Sequence, residues 1–225
     1  VNAASISFSY QSERNKEEAA LNQRREEAEK LNKEAELLTL RHQLQPHFLF
    51  NSLNSINALV SIDQKQARQM VQQLSSFLRG TISANAQTFV PLKKELEQLK
   101  LYLEIEKVRF GHRLNTEIHV EEGVEEMQLP MLILQPLLEN AIKFGLYGTT
   151  EDVNVNVDIK RDSTYLVVAI SNPFDPDYKT MSGTGFGLSS IKRRMFLLFS
   201  RNDLLTTSSK GNTFTATLKL PQIND

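Results

Sequence analysis

The sequence predicts an α+β protein in which a coiled-coil helix and a helical bundle precede an α/β sandwich. Residues 1–45 contain neither glycine nor proline, whereas thirteen of the sixteen glycines and prolines follow residue 110. Apolar residues recur at helical spacing before Gly111 and alternate with polar residues in parts of the chain after it. We therefore expect a helical half and a mixed half that meet near Gly111.

Residues 1–36 are predicted to form a signalling coiled-coil helix. Residues 13–36 hold eight glutamates against six lysines and arginines, as a solvated helix does. A heptad repeat nevertheless runs through the later part of the segment. One core position holds Leu21, Ala28 and Ala35, continued by His42, and the other holds Leu31 and Leu38. A parallel coiled coil is the preferred interpretation, and a single solvated helix is the alternative.

Residues 37–112 are predicted to form a helical bundle. Asp63 can cap a helix that runs to about Ser83, and Pro91 can open another that ends at Gly111. Each helix carries one apolar face. The faces comprise Ala67, Met70, Val71, Leu74, Phe77 and Leu78 in the first helix and Leu92, Leu96, Leu99, Leu103 and Val108 in the second.

Residues 113–225 are predicted to form the sandwich. Residues 153–159 and 213–220 alternate between apolar and polar side chains, as half-buried strands do. Thr164–Ser171 is more continuously apolar and predicts a further strand. Two helical stretches, near 131–145 and 187–200, supply the second layer.

The composition excludes several classes of function. The 225 residues carry 26 basic and 27 acidic side chains, so there is no broad basic field for binding nucleic acid. The absence of cysteine excludes disulfides, zinc–thiolate sites, iron–sulfur clusters and cysteine nucleophiles. The apolar stretch 129–138 is far shorter than the roughly 20 residues of a membrane helix. Because the chain begins at Val1 rather than Met, we expect an upstream sensor or membrane segment that this sequence does not include.

His47 is the first candidate for chemistry. It follows Pro46 inside a helical run, where a proline costs about 3 kcal/mol. Asn51 and Asn54 follow at spacings of four and seven, so all three polar residues share a helix face. A neutral imidazole can attack an electrophile through one nitrogen while a hydrogen-bond partner holds the other. The residues alone are equally compatible with a nucleophile and with a partly buried histidine that caps a kink.

Asn140 and Lys143 form a second candidate group, with Glu139 adjacent. They lie three residues apart on the predicted helix 131–145. An amide oxygen suits Mg²⁺, and a lysine reaches phosphate oxygens. Alone, the pattern is weak, because asparagine and lysine are common on helix surfaces.

A glycine-rich loop forms the third group. Gly183, Gly185 and Gly187, followed by Leu188, open the predicted helix 187–200. Backbone N–H groups in such a loop, together with the helix dipole, can hold a phosphate chain. A plain flexible loop is the alternative.

The order of these groups resembles that of one family. Over roughly residues 37–221 the chain resembles sensor histidine kinases of the LytS/YehU type, whose nucleotide domain has the Bergerat (GHKL) ATP-binding fold. The resemblance is carried by residues 43–54, Leu78-Arg79, Leu92 with Glu95-Leu96, Tyr102-Leu103 with Arg109-Phe110, Leu129-Pro130, residues 135–145, and Gly185–Leu188 with Arg194.

The resemblance implies a two-component kinase. Residues 37–112 would form a homodimer and carry the phosphate-accepting His47, and residues 113–225 would bind Mg-ATP. The phosphoryl group would pass to an aspartate of a response regulator. The chain would be the cytoplasmic part of an inner-membrane-anchored protein.

The resemblance also implies the nucleotide residues. Asn140 would hold Mg²⁺ and phosphate, with Glu139 as a second metal ligand, and Lys143 would contact phosphate and assist catalysis. The lid-end residues bordering the nucleotide would be Gly183, Gly185, Gly187 and Leu188.

The chain departs from the family pattern at two nucleotide positions. Phe144 stands where related kinases often have a histidine, and it could pack near the nucleotide. Asn172 stands where the superfamily usually has the aspartate of an Asp-x-Gly motif. An amide oxygen can accept the adenine hydrogen bond without charge, so we expect adenine selectivity with reduced affinity.

Transfer to His47 is the favoured reaction, with two alternatives. ATPases of the fold carry a glutamate one turn before the metal-binding asparagine, whereas this chain has Pro136 there; Glu139 nearby leaves an ATPase open. A dimeric relay without catalysis is the other alternative.

Ordinary kinases place an acid directly after the histidine, whereas here Phe48 follows it, so Asn51 could orient the ring instead.

Overall fold

A computed structural model describes residues 46–82, 89–146, 149, 151–174 and 186–222, with Asn22, Glu26, 29–33 and 35–36 near the N-terminus. The described N-terminal positions are helical, as predicted. Leu31, a heptad core residue, is 65% exposed in the single chain. The coiled-coil pairing stays a prediction, and Leu21, Ala28, Leu38 and His42 lie outside the described residues.

The next three helices are α1 (Pro46–Val60), α2 (Gln64–Ile82) and α3 (Leu92–Phe110). The predicted cap of α2 is confirmed, since Asp63 Oδ1 accepts a 2.9 Å hydrogen bond from Gln66 N. The apolar face of α2 is also buried, except that Leu78 is half-buried and Val71 is 46% exposed.

The predicted role of Pro91 is wrong in detail. Pro91 precedes α3 in an extended conformation and ends the short strand β1 (Phe89–Pro91). β1 pairs antiparallel with β3 (Gln128–Pro130), so the chain around Pro91 follows a strand geometry before it turns into the helix.

The remaining elements form the sandwich. They are β2 (Leu114–Val120), α4 (Gln135–Leu146), β4 (Val153–Asp162), β5 (Tyr165–Pro173), α5 (Phe186–Phe199), β6 (Leu205–Lys210) and β7 (Thr213–Pro221). The sheet order is β2-β4-β5-β7-β6, with β2 parallel to β4 and the other neighbours antiparallel. The α+β class and the sandwich are confirmed. α4 begins four residues later than predicted, because 131–134 form a turn.

Helices cover one face of the sheet. The alternation in β4 is confirmed, since Val153, Val155, Val157 and Ile159 are buried. α4 packs on β4 and β5, α5 packs on α4 and β6, and α3 packs on β2 and on the hairpin of α1 and α2. One apolar core therefore runs from Phe48 to Leu220. The domain limits 1–36, 37–112 and 113–225 stay predictions, and α3 contacts both sides of the second limit.

In the part of the chain that the structure describes, no helix combines the length and the apolar character that crossing a membrane requires.

Candidate functional site

His47 lies in the first turn of α1, which begins at Pro46. Its side chain is exposed, and Asn51 Nδ2 lies 3.0 Å from Nδ1 and 3.4 Å from Nε2. The predicted contact across one helical turn is present. In this orientation the amide donates to Nδ1, so the ring proton resides on Nε2; an amide turned by 180° would instead offer Oδ1 to an Nδ1–H.

An aromatic cluster holds the helix beneath His47. Phe48 is 6% exposed, and its ring centroid lies 5.0 Å from that of Phe77 and 5.1 Å from that of Tyr102. Ser52 Oγ donates to the carbonyl of Phe48 at 2.8 Å. The residue after His47 is therefore an anchor between α1, α2 and α3, and the imidazole faces solvent.

The side chain of Asn140 lies near the first turn of α5. A Cβ added at Gly187 would come 3.9 Å from Asn140 Oδ1, so the amide oxygen lies near that glycine's backbone. Leu188 is half-buried and packs on the core. Gly183 and Gly185 lie outside the described residues, so their predicted lid role is untested.

Asn172, at the end of β5, lies against α4. It is 2% exposed, its Nδ2 donates to the Pro173 carbonyl at 2.7 Å, and its Cβ lies 3.6 Å from where a Gly145 side chain would begin. Its buried Oδ1 accepts no hydrogen bond from the described residues. A buried acceptor of this kind costs free energy until a donor satisfies it, so it can recognise a ligand N–H.

Lys143 and Phe144 lie on the last turns of α4. The lysine is exposed, the phenylalanine is half-buried, and Nζ lies 5.7 Å from the ring centroid. A cation at this distance from an aromatic face is weakly attracted to it.

Glu139 is turned toward α3. Its Oε1 accepts a 2.7 Å hydrogen bond from Gln135 Nε2. Burial raises the pKa of Glu139 to about 7, Gln135 opposes the rise, and Glu106 of α3 adds to it. No cluster of three or more His, Cys, Asp or Glu suited to a metal occurs among the described residues. The metal role of Glu139 stays a prediction.

Replacing Glu139 with Gln should flatten the pH dependence of stability. The carboxyl titrates near pH 7 when folded but near 4.5 in its ordinary state, so between these values the folded chain binds more protons. The free energy of unfolding therefore falls as pH rises through this window, by as much as about 3 kcal/mol from this group. Denaturant unfolding at pH 5 and pH 8 measures the difference, with exposed Glu97→Gln as control. If the free energy of unfolding depends on pH equally in the parent and in Glu139→Gln, the raised pKa of Glu139 is contradicted.

Three polar residues of the site region had no predicted role. Glu95 and Glu106 are buried in α3, and Arg194 is buried in α5. A signal for the two glutamates was present, because both fall at helical spacing on the apolar face that holds Leu92 and Leu99. An acid on such a face has to be held by a buried partner.

The chain is similar to known proteins over most of its length. The family model for histidine kinase matches residues 35–114. The chain is 34% identical over 194 residues to the sensor protein LytS of Oceanobacillus iheyensis, a match that spans 80% of this chain and 33% of that protein. It is 33% identical over 189 residues to the sensor histidine kinase BtsS of Escherichia coli K12, spanning 84% and 34%. Over most of its length the chain is therefore similar to one part of the LytS-like sensor histidine kinases.

This LytS-like chain spans about a third of the length of the curated relatives it matches. Among solved structures, the catalytic domain of histidine kinase ThkA matches at 17% identity and a TM-score of 0.45, covering 60% of this chain and 95% of that one. At this low similarity, the fold assignment rests on the chain's own sheet order and helix packing.

Proposed function

We propose that this chain is the phosphotransfer and ATP-binding part of a two-component sensor histidine kinase. It autophosphorylates His47 from Mg-ATP and passes the phosphoryl group to an aspartate of a response regulator. The observation that carries the proposal is an exposed His47 beside Asn51, in a chain similar to LytS and BtsS whose Asn140 lies near Gly187. Attachment to a membrane through an upstream segment is part of the same proposal.

The residues present fit Mg-ATP. The buried Oδ1 of Asn172, which accepts no hydrogen bond from the described part of the chain, can accept one from the adenine amino group. Asn140 offers an amide oxygen to Mg²⁺ near Gly187, whose missing side chain leaves room for phosphate. The exposed Lys143 supplies a positive charge for phosphate oxygens. When bound, Mg²⁺ would neutralise phosphate charge.

His47 is the proposed nucleophile. Its Nε2 lone pair forms the N–P bond while the bond from the γ-phosphorus to the bridging oxygen breaks and ADP leaves. Attack through Nε2 requires the ring proton on Nδ1, and the Oδ1 of an Asn51 amide turned by 180° would accept a hydrogen bond from that Nδ1–H. Catalysis of such transfers is mostly positioning and electrostatics, which suits a site with Phe48 in place of an acid.

The proposal is tested by incubating the chain with γ-labelled Mg-ATP. Acid-labile, alkali-stable label on the protein would support it. A folded dimer that takes no label would favour the non-catalytic relay. Release of free phosphate that survives loss of His47 would favour an ATPase.

Asn51→Ala should slow autophosphorylation about tenfold, which corresponds to the free energy of one hydrogen bond, and should leave the KM for ATP unchanged. The reason is that the ring loses the partner that selects its tautomer. Asn51→Asp keeps an acceptor and should retain more of the rate than Asn51→Ala. Asn54→Ala, on the same exposed face, is the matched control. Labelling of Asn51→Ala at the parent rate would remove Asn51 from the mechanism.

Phe50→Lys should weaken the proposed homodimer by at least about tenfold. Phe50 is 68% exposed and Leu53 49% exposed on α1, and Val71 adds apolar surface on α2. A lysine there would meet an apolar partner surface on dimerisation. Sedimentation across a concentration series measures the effect, with Phe196→Lys on α5 as control. Unchanged association of Phe50→Lys would place the dimer contact elsewhere.

A further inference from the structure

Glu95 of α3 and Arg194 of α5 converge on the turn 131–134, which leads into α4. Glu95 is 2% exposed. Its Oε2 accepts a 2.7 Å hydrogen bond from the Leu132 amide, and its Oε1 accepts a 2.9 Å bond from the Leu134 amide. Both carboxylate oxygens thus hold backbone donors of the same turn.

Arg194 holds the carbonyl groups of that turn. It is 4% exposed, its Nη2 donates to the Met131 carbonyl at 2.7 Å, and its Nη1 lies 3.4 Å from the Leu132 carbonyl. Burial raises the pKa of the Glu95 carboxyl, while the Leu134 and Leu132 amides and the Arg194 charge oppose the rise. The Arg194 charge therefore offsets part of the desolvation of Glu95, and loss of that charge would leave the buried carboxylate less stabilised.

The backbone of the turn needs these stabilising hydrogen bonds at Leu132. This residue has φ of +59°, a left-handed conformation that is unfavourable for a non-glycine residue. Glu95 binds its N–H and Arg194 approaches its C=O, so both charges act where the backbone is strained. The turn then runs directly into α4, since the Leu138 amide donates to the Leu134 carbonyl at 3.1 Å.

We propose that Glu95 and Arg194 are positioning residues of the nucleotide site. Together they fix the turn 131–134, and through it they set α4, which carries Asn140, against α5, which carries Gly187. This inference rests on the proposed function. If Glu95 acts in this way, its helix α3 belongs to the nucleotide-binding unit.

The test compares Glu95→Gln and Arg194→Lys with the parent chain. Glutamine keeps the shape of Glu95 but offers one acceptor to two amides, and lysine keeps the charge of Arg194 but cannot reach two carbonyls. We expect faster hydrogen exchange at Leu132 and Leu134, and a Kd for Mg-ADP at least about tenfold weaker, which is 1.4 kcal/mol. Labelling of His47 at saturating ATP should remain near the parent rate, so the loss falls on KM rather than kcat.

Glu97→Gln, an exposed change on the same helix, is the matched control and should change neither exchange nor affinity. If Glu95→Gln does not fold, Glu95→Asp with its charge retained takes its place and should also weaken Mg-ADP binding. If every folded variant binds Mg-ADP as tightly as the parent does, even with a lower melting temperature, the inference is overturned and the proposed function is not. A parent chain that binds no nucleotide would overturn the proposed function and the inference with it.

Discussion

His47→Gln should reduce autophosphorylation to background. The imidazole is the only nitrogen nucleophile of the proposed reaction, and a glutamine amide has no comparable lone pair. The measurement is acid-labile, alkali-stable label from γ-labelled Mg-ATP, with Mg-ADP affinity determined on the same samples. Nucleotide binding should be unchanged, because the residues proposed to hold it lie on α4, α5 and the end of β5.

His112 and His119 provide the matched controls. His119 is exposed in β2 and His112 is exposed after α3, so His119→Gln and His112→Gln should label as the parent does. The His47→Gln chain should also stay within about 0.5 kcal/mol of the parent in stability, since the ring is exposed. Label that persists on His47→Gln would show that another residue is the acceptor, and His42→Gln would then be the next variant.

Phe77→Ala should lower the free energy of unfolding by about 3–5 kcal/mol. Phe77 is fully buried and its ring lies 5.0 Å from Phe48 and 6.3 Å from Tyr102, so truncation removes the centre of the contact between three helices. For a chain of this size each 1 kcal/mol shifts the melting temperature by about 2–4 °C. Denaturant unfolding and thermal melting followed by circular dichroism measure the loss.

Val71→Ala is the control for Phe77→Ala on the same helix. Val71 is 46% exposed, and alanine has the higher helix propensity, so its change should stay within about 0.5 kcal/mol. A loss below about 1 kcal/mol in Phe77→Ala would mean that the aromatic cluster does not hold α1 and α2 against α3.

Several features could be predicted from the sequence because they depend on short-range rules. Asp63 caps α2 because its side chain reaches an amide three residues on. The alternation of residues 153–159 predicted β4 because side chains of a strand point to opposite faces. The contact of Asn51 with His47 follows from the helical spacing of four.

Short or polar strands could not be predicted from local pattern. β1 and β3 have three residues each, and they are strands only because Val90 lies opposite Leu129. β6 reads Leu-Thr-Thr-Ser-Ser-Lys with only Leu205 buried, so its pairing with β7 defines it. Strand pairing decides such segments more than their own propensity does.

The sequence by itself determined the order of the main helices and of strands β4, β5 and β7, the His47 face of α1 and the apolar face of α2. Only the tertiary structure decided which polar groups of distant elements meet. Glu95 and Arg194 are far apart along the chain and converge on Leu132, and the Asn172 amide oxygen beside α4 accepts no hydrogen bond from the residues that the structure describes. The physical reason is range. Periodicity and capping depend on neighbours within one or two turns, whereas burial of a charge or an amide depends on which distant elements the core brings together.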